Sequence, residues 1–271
     1  MPAAAQIAIT VQLEPPVLPV YDQPPLPEPG YIWTPGYWAY DRDPGYYWVP
    51  GTWVQPPEAN FLWTPPYWGW ADGAYVFHDG YWGTHVGFYG GIDYGFGYGG
   101  SGYEGGRWEN GNFAYNRTVN NFGETHITNV YESKVTIVSN TRVSFNGGAN
   151  GVKAQPTPAE ITVEHEHHIQ PTPVQRQHIT AAAKNPELSA KQNGGHPTIA
   201  ATAHPAQFQG PGVVAAHPVA GGPAERVTPT HEPVVRPDQR ATPPNREPAA
   251  RPEERATPTH EPAARPEERA T

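Results

Sequence analysis

Three arrangements in the chain combine residue types able to do chemistry. Glu164-His165-Glu166-His167-His168 alternates carboxylate and imidazole, ligands suited to zinc or copper, and on a helix Glu164 and His168 would lie one turn apart. Adjacent side chains point apart on a helix, however, and nothing nearby supplies a dry surround for an ion, even with His178 beyond. No metal is therefore assigned, and a solvated face is expected; His165 and His168 are the residues a metal would have to use. Glu104 and Glu109 offer two carboxylates, as a glycosidase needs, but on a glycine-rich surface carboxylates are ordinarily just solvated. Gly95-Phe96-Gly97-Tyr98-Gly99-Gly100 has the G-x-G-x-x-G spacing of dinucleotide sites. It lacks the hydrophobic strand before it and the helix after it that would aim an N-terminus at phosphate. None of the three supports an enzyme, and no cofactor is expected.

Aromatic side chains are the stronger candidates for contact with a ligand. Trp33, Trp48 and Trp63 recur every 15 residues, and Trp38, Trp53 and Trp68 follow each by five. Tyr31, Tyr46 and Phe61 precede the first tryptophan of each unit by two. A fixed period of this kind marks a supersecondary unit. In an extended chain, residues two apart share a face whereas residues five apart do not. The Pro35-Gly36 and Pro50-Gly51 pairs change that count. Either a type II turn or bulge brings both tryptophans of a unit to one face, or Pro-Gly closes a tight hairpin across which the two meet. Both geometries give a small antiparallel β unit. Pro66 stands where glycine is expected, so the third unit reads as degenerate, as a terminal cap would be. Aromatic faces with polar edges can stack on sugar rings. The candidate binding residues are thus Tyr31, Trp33, Trp38, Tyr46, Trp48, Trp53, Trp63 and Trp68, and the competing reading buries them in their own core.

The elements that must position them follow from composition. Of 32 aromatic residues, 29 lie within 31–131, so a packed core belongs to the first half. Prolines form two blocks, up to Pro66 and from Pro156 onward, leaving a window where central strands can form. Asp41-Arg42-Asp43-Pro44-Gly45 and residues 55–60 are turn clusters. Residues 80–111 contain 13 glycines interleaved with tyrosine, phenylalanine and tryptophan. Glycine at that density is costly to order, so the stretch is either held by close backbone approach and stacked rings or left as a flexible loop. Residues 125–145 are β-branched and partly alternating, which predicts one or two strands. Thr157-Pro158-Ala159-Glu160 and Thr172-Pro173-Val174-Gln175 are capping boxes opening short helices without an apolar stripe, and Asn185-Pro186-Glu187-Leu188 starts another. The expected fold is mainly β: a small antiparallel aromatic and Gly-rich sheet built from short repeats, then marginal short helices and a long disordered Pro-rich tail. The divisions fall at 1–30 (Pro-rich lead), 31–70 (three repeats), 71–150 (Gly/aromatic segment and strands), 151–222 (short helices and linker) and 223–271 (Pro/Glu/Arg repeat tail).

Charge and targeting signals narrow the partners. Residues 1–155 carry 13 acidic against 6 basic side chains, a balance that repels phosphate backbones, so no nucleic acid partner is expected. No apolar run of spanning length occurs, hence no membrane span. There is no cysteine, which removes disulfides and thiolate chemistry. Ala3-Ala4-Ala5-Gln6 fits the cleavage end of an incomplete export signal.

The first two units, the lead Val20-Tyr21-Asp22-Gln23-Pro24-Pro25, and Gly80-Tyr81-Trp82-Gly83 through Asn116-Arg117 resemble the YXWGXW-repeat (WXXGXW-repeat, BcpO-related) family of short bacterial exported proteins. The resemblance spans about half the chain. It implies export to the periplasm, outer membrane surface or exterior, and no particular catalysis. The expected function is a non-enzymatic cell-envelope structural or interaction protein with a protein or polysaccharide partner; the alternative is a carbohydrate- or peptidoglycan-binding aromatic module.

Overall fold

Pairing between successive Trp units, rather than within each one, organises the chain. In the computed structural model, residues 9–138 and 141–217 are described; Ala3-Ala4-Ala5-Gln6, Asn140 and the repeat tail 223–271 lie outside them. After β1 (Thr10–Val11) the first hairpin comprises β2 (Ile32–Thr34), β3 (Tyr37–Asp41), β4 (Gly45–Val49) and β5 (Gly51–Val54). Its inner arms pair through Trp38 and Trp48, its outer arms through Trp33 and Trp53. A second hairpin repeats this with β6 (Leu62–Thr64), β7 (Tyr67–Ala71), β8 (Ala74–His78) and β9 (Tyr81–Gly83), matching Trp68 with Phe77 and Trp63 with Trp82. The structural repeat is therefore about 30 residues, two antiparallel halves of about 15. The unit at Phe61–Trp68 is no terminal cap; its partner is a fourth half that carries Phe77 for Trp48 and Asp79 for Pro50.

Pro35-Gly36 neither closes a hairpin nor adopts the left-handed glycine backbone of a type II turn. It breaks the ladder of a strand that continues in the same direction. The N–H of Gly36, turned out of the ladder, donates to the Tyr21 hydroxyl (3.4 Å), and that of Gly51 to the Ala200 carbonyl (3.1 Å). Glycine is required there by contact. A Cβ on Gly36 would sit 2.3 Å from Trp48 Cζ2, and one on Gly51 2.5 Å from Trp33 Cζ2, so each half's glycine seats the other half's indole. In the second hairpin Gly80 seats Trp63 in the same way, at 2.5 Å. At the remaining position of that reciprocal set Pro66 replaces the glycine, and the ring opposite is the smaller Phe77. The Asp41–Gly45 cluster turns β3 into β4, as read; at the equivalent place of the second hairpin Asp72-Gly73, with φ of 50° and 84°, forms the two-residue turn that suits strand twist.

The glycine-rich stretch is ordered by both devices foreseen for it. Phe96-Gly97 turns β10 (Asp93–Gly95) into β11 (Tyr98–Gly99), so the G-x-G-x-x-G spacing is a hairpin turn. A Cβ on Gly97 would lie 2.3 Å from the Gly105 nitrogen, and one on Gly99 2.1 Å from the Thr136 carbonyl oxygen. Tyr89 and Tyr98 pack edge to face and are fully buried. The Tyr98 hydroxyl lies between two equivalent carbonyls of the hairpins, donating to Trp63 (2.8 Å) with Trp33 at 3.4 Å.

β12 (Gly106–Glu109) and β13 (Asn112–Asn116) form an antiparallel pair to which β14 (Val130–Tyr131) adds in parallel, and β15 (Phe145–Asn146) runs parallel to β7. Among its described residues the β-branched run at 125–145 thus contributes strands only at these two short places. Between them Thr136 N–H donates to the Glu104 carboxylate (2.6 Å) and Val138 N–H to the Gly99 carbonyl (2.7 Å), leaving Ile137 and Val138 exposed.

Both predicted capping boxes form, opening α1 (Pro158–Val163) and α2 (Pro173–Lys184). A single 3₁₀ turn at Pro186–Leu188 and α3 (Ala190–Asn193) follow, then β16 (Ala201–Thr202), parallel to β5, and β17 (Val213–Val214). α2 has no apolar stripe because Gln175 and His178 carry much of its buried face, each satisfied by a hydrogen bond. The Pro-rich lead is equally built in, with Leu18, Tyr21 and Leu26 buried and Leu26 N–H donating to Asn121. All described residues fall in one compact unit. Among them no helix is long and apolar enough to cross a membrane.

Candidate functional site

The eight aromatic candidates are interior. Trp33 and Trp53 are fully buried, Trp38, Trp48 and Trp68 are 1% exposed, Tyr46 3% and Trp63 4%. Tyr31 is half-buried, its carbonyl accepting from the Tyr115 hydroxyl (2.8 Å). The cross-strand rings meet at steep angles with centroids 5.2 Å apart for Trp33 and Trp53, 5.2 Å for Trp38 and Trp48 and 5.3 Å for Trp63 and Trp82. Each such pair adds about 0.5–1.5 kcal/mol beyond its burial. Four of the repeat indole N–H groups are engaged internally: Trp38 donates to Val17 (3.0 Å), Trp48 to Ala200 (2.9 Å), Trp53 to Pro24 (2.9 Å) and Trp68 to the Trp38 carbonyl (2.7 Å), while that of Trp33 is buried without a hydrogen-bond partner. An exposed tryptophan row is therefore not what the repeat makes. Its aromatics bind the lead, the second hairpin and the segment around Ala200 to the first hairpin.

The histidine-rich segment does not converge either. α1 ends at Val163, so Glu164 and His168 are not stacked one turn apart. His165 is exposed, and His168 lies over Tyr81 (3.7 Å between ring centroids) with Nε2 against the Val163 carbonyl (2.9 Å). Glu166 pairs instead with His85 (2.9 Å), which holds its carboxyl below the usual carboxylate range. His178 sits apart on α2, buried between the Pro50 carbonyl and Ala206 N–H. Among the described residues no three histidine or acidic side chains are grouped to hold a metal. Glu104 and Glu109 are engaged separately, the first by Thr136 N–H and the second by Arg107 (2.7 Å).

What the fold does assemble is a cleft of about 600 Å³ between the outer face of the second hairpin and α1. β7 supplies Tyr67, β8 supplies His78, β9 supplies Tyr81, and α1 with the residue after it supplies Glu160 and Glu164; Asp79 and Phe88 complete the wall. Tyr67 and His78 stack face to face (4.3 Å, 3° between planes), and Phe88 meets Tyr67 at a steep angle. Burial pushes His78 below its ordinary value, an effect that Glu164 and Asp79 oppose. Burial raises Tyr67 to about 12, with Glu164 adding to it, and the Tyr81 hydroxyl is raised by burial with smaller contributions from Glu164, Glu166 and Glu160. The carboxylates thus bear on the rings that wall the cleft.

Glu160 is buried and anchored. Its carboxylate accepts from Thr157 N–H (2.8 Å) and hydroxyl (2.9 Å) and from the Ser101 hydroxyl (2.9 Å). The same residue that closes the capping box at the sequence level therefore fixes α1 against the Gly-rich segment and places a negative charge in the wall. Among the described residues no lysine or arginine lines the cleft. The sequence signal for this site was slight. Glu160 and Glu164 share a helix face by their spacing, but Tyr67 and Glu164 are too far apart in the chain for any local pattern to join them.

The comparisons agree with the geometry of the repeat. No curated protein and no solved structure matches the chain. A family model of the WXXGXW repeat matches it twice, at residues 29–54 and 59–82, and each match spans one of the two hairpins almost end to end. The chain thus carries two copies of the WXXGXW repeat.

Proposed function

We propose that the chain is a non-enzymatic structural or interaction protein of the bacterial cell envelope, in which the WXXGXW hairpins are the scaffold and recognition takes place on the surface they support. The observation that carries this reading is the burial of the repeat tryptophans in cross-strand pairs: their type and spacing serve the fold, so the repeat itself asks for no ligand. The separate engagement of Glu104 and Glu109 supports the non-enzymatic part. Export is inferred from the family resemblance. The partner is an envelope protein or polysaccharide. A carbohydrate-binding module built on Trp33, Trp48 and Trp63 loses support, since stacking on sugar needs open ring faces.

Cell fractionation with a photo-crosslinker at Phe88 tests the proposal. The expected result is protein in the exported fraction, cross-linked to an envelope component. A cytoplasmic protein, or an exported one that yields no adduct, would overturn it. Sedimentation with purified peptidoglycan separates the alternative: Trp33→Phe would weaken binding if indole faces made the contact and leave it unchanged if they are scaffold.

A further inference from the structure

We propose that residues 135–138 pair with the same stretch of a second copy of this chain, joining two molecules edge to edge. The inference does not rest on the envelope reading. The stretch follows β14, the outer strand of its sheet, and its hydrogen bonds alternate. Thr136 faces inward: its N–H donates to the Glu104 carboxylate (2.6 Å), and its carbonyl oxygen lies where a Cβ on Gly99 would come within 2.1 Å. Val138 N–H also points inward, to the Gly99 carbonyl (2.7 Å). Between and before them, Val135 and Ile137 make no backbone hydrogen bond among the described residues. In an extended chain whose even positions bond inward, the N–H and C=O groups of those two odd positions face outward. An open edge of this kind is a template for another strand. The side chains beside it are apolar and uncovered, Ile137 at 53% and Val138 at 51% exposure.

The edge is complementary to itself. Antiparallel pairing about a two-fold axis at Thr136 sets Val135 of each copy opposite Ile137 of the other and Thr136 opposite Thr136. The two Val135–Ile137 pairs are then the ones with outward backbone groups, so each exchanges both its N–H···O bonds, and Thr136 falls at the non-bonded pair where side chains approach most closely. Contact between β-branched side chains across the strands favours the same register. A slip of one residue would set outward groups against inward ones and lose the bonds. Because such a contact uses one surface twice, it closes at a dimer.

Short edges bury well under the about 1,200 Å² at which stable interfaces begin, so analytical ultracentrifugation of the full chain should show a weak dimer, with a dissociation constant of about 0.1–1 mM. Ile137→Lys places a charge on an exposed side chain, so it should leave urea unfolding unchanged and weaken the dimer at least about tenfold. The chain has no cysteine, so a single introduced one reports alone. Thr136→Cys should oxidise to a cross-linked dimer faster than Glu58→Cys, which lies exposed in the turn between the two hairpins. A dimer indifferent to Ile137→Lys, or cross-linking of Thr136→Cys no faster than of Glu58→Cys, would overturn the proposal. So would a chain that stays monomeric throughout, which would leave the edge to a different protein. Slow amide exchange at Ile137 in dilute protein would overturn it as well, by placing another segment of the same chain on the edge. None of these failures touches the envelope reading, which fractionation and cross-linking at Phe88 test separately.

Discussion

His178 is a histidine that the fold holds neutral, and acidification should expose how much stability that costs. The ring is 3% exposed on α2, packed near Phe208, with Nε2 2.8 Å from the Pro50 carbonyl and Nδ1 accepting from Ala206 N–H at 2.7 Å. Only the tautomer protonated at Nε2 satisfies both partners. A second proton on Nδ1 would meet the Ala206 donor head-on, and burial already opposes the charge, so the ring is pushed down from 6.5 to about 4. Unfolded chains take up this proton near pH 6.5 and folded chains only near 4. The contribution is therefore fully present above 6.5 and is lost as pH falls through about 4. At about 1.4 kcal/mol for each pH unit separating the two states, the loss is about 3 kcal/mol. Urea unfolding of wild type and His178→Gln from pH 7 to 4 measures it: the difference in ΔG between the two should shrink by about that amount across the window. An NMR titration of wild type gives a reading free of the variant. A pH-independent difference, or an imidazole that titrates near 6.5 in the folded protein, would refute the reasoning.

The repeat geometry carries further consequences. Gly51→Ala would place a methyl 2.5 Å from the buried Trp33 ring and 3.0 Å from the Gly36 nitrogen, so thermal or urea unfolding should reveal a loss of about 1–3 kcal/mol. Phe77→Trp alone should destabilise by a similar amount through crowding at Pro66, and Pro66→Gly in the same chain should recover at least about 1 kcal/mol of it in a double-mutant cycle. Trp82→Phe removes the indole donor to Gln175 Oε1 (2.7 Å) and opens space in the core, for an expected loss of about 2–3 kcal/mol by urea unfolding.

Much of this was legible where the cause is local. The 15-residue tryptophan period, the Asp41–Gly45 turn cluster and the two Thr-x-x-Glu/Gln capping boxes all depend on neighbours in sequence, and they stand as read. The pairing of units across strands was hidden because its fourth member departs from the motif at Phe77 and Asp79. Pro-Gly was misread for a related reason: glycine's use at position 36 is room for Trp48, a contact made across the hairpin, and not its freedom of φ. α2 gave no apolar pattern because Gln175 and His178 are buried as hydrogen-bonded polar groups, a choice that depends on partners at Trp82, Pro50 and Ala206. The run at 125–145 has strand-forming residues, yet the N–H groups of Thr136 and Val138 go to Glu104 and Gly99 rather than to a neighbouring ladder. The cleft is assembled from β7, β8, β9 and α1, and closure over that distance leaves no periodic trace in the sequence.

Hydrogen exchange of the nine tryptophan indole N–H groups, followed by NMR on the intact chain, tests most directly that the repeat is a scaffold. Trp33, Trp38, Trp48, Trp53, Trp63, Trp68 and Trp82 should exchange slowly, through opening of the core, while Trp70, 40% exposed, exchanges fast. Exchange of Trp33, Trp48 and Trp63 at the rate of Trp70 would contradict the scaffold and return those residues to an exposed binding row.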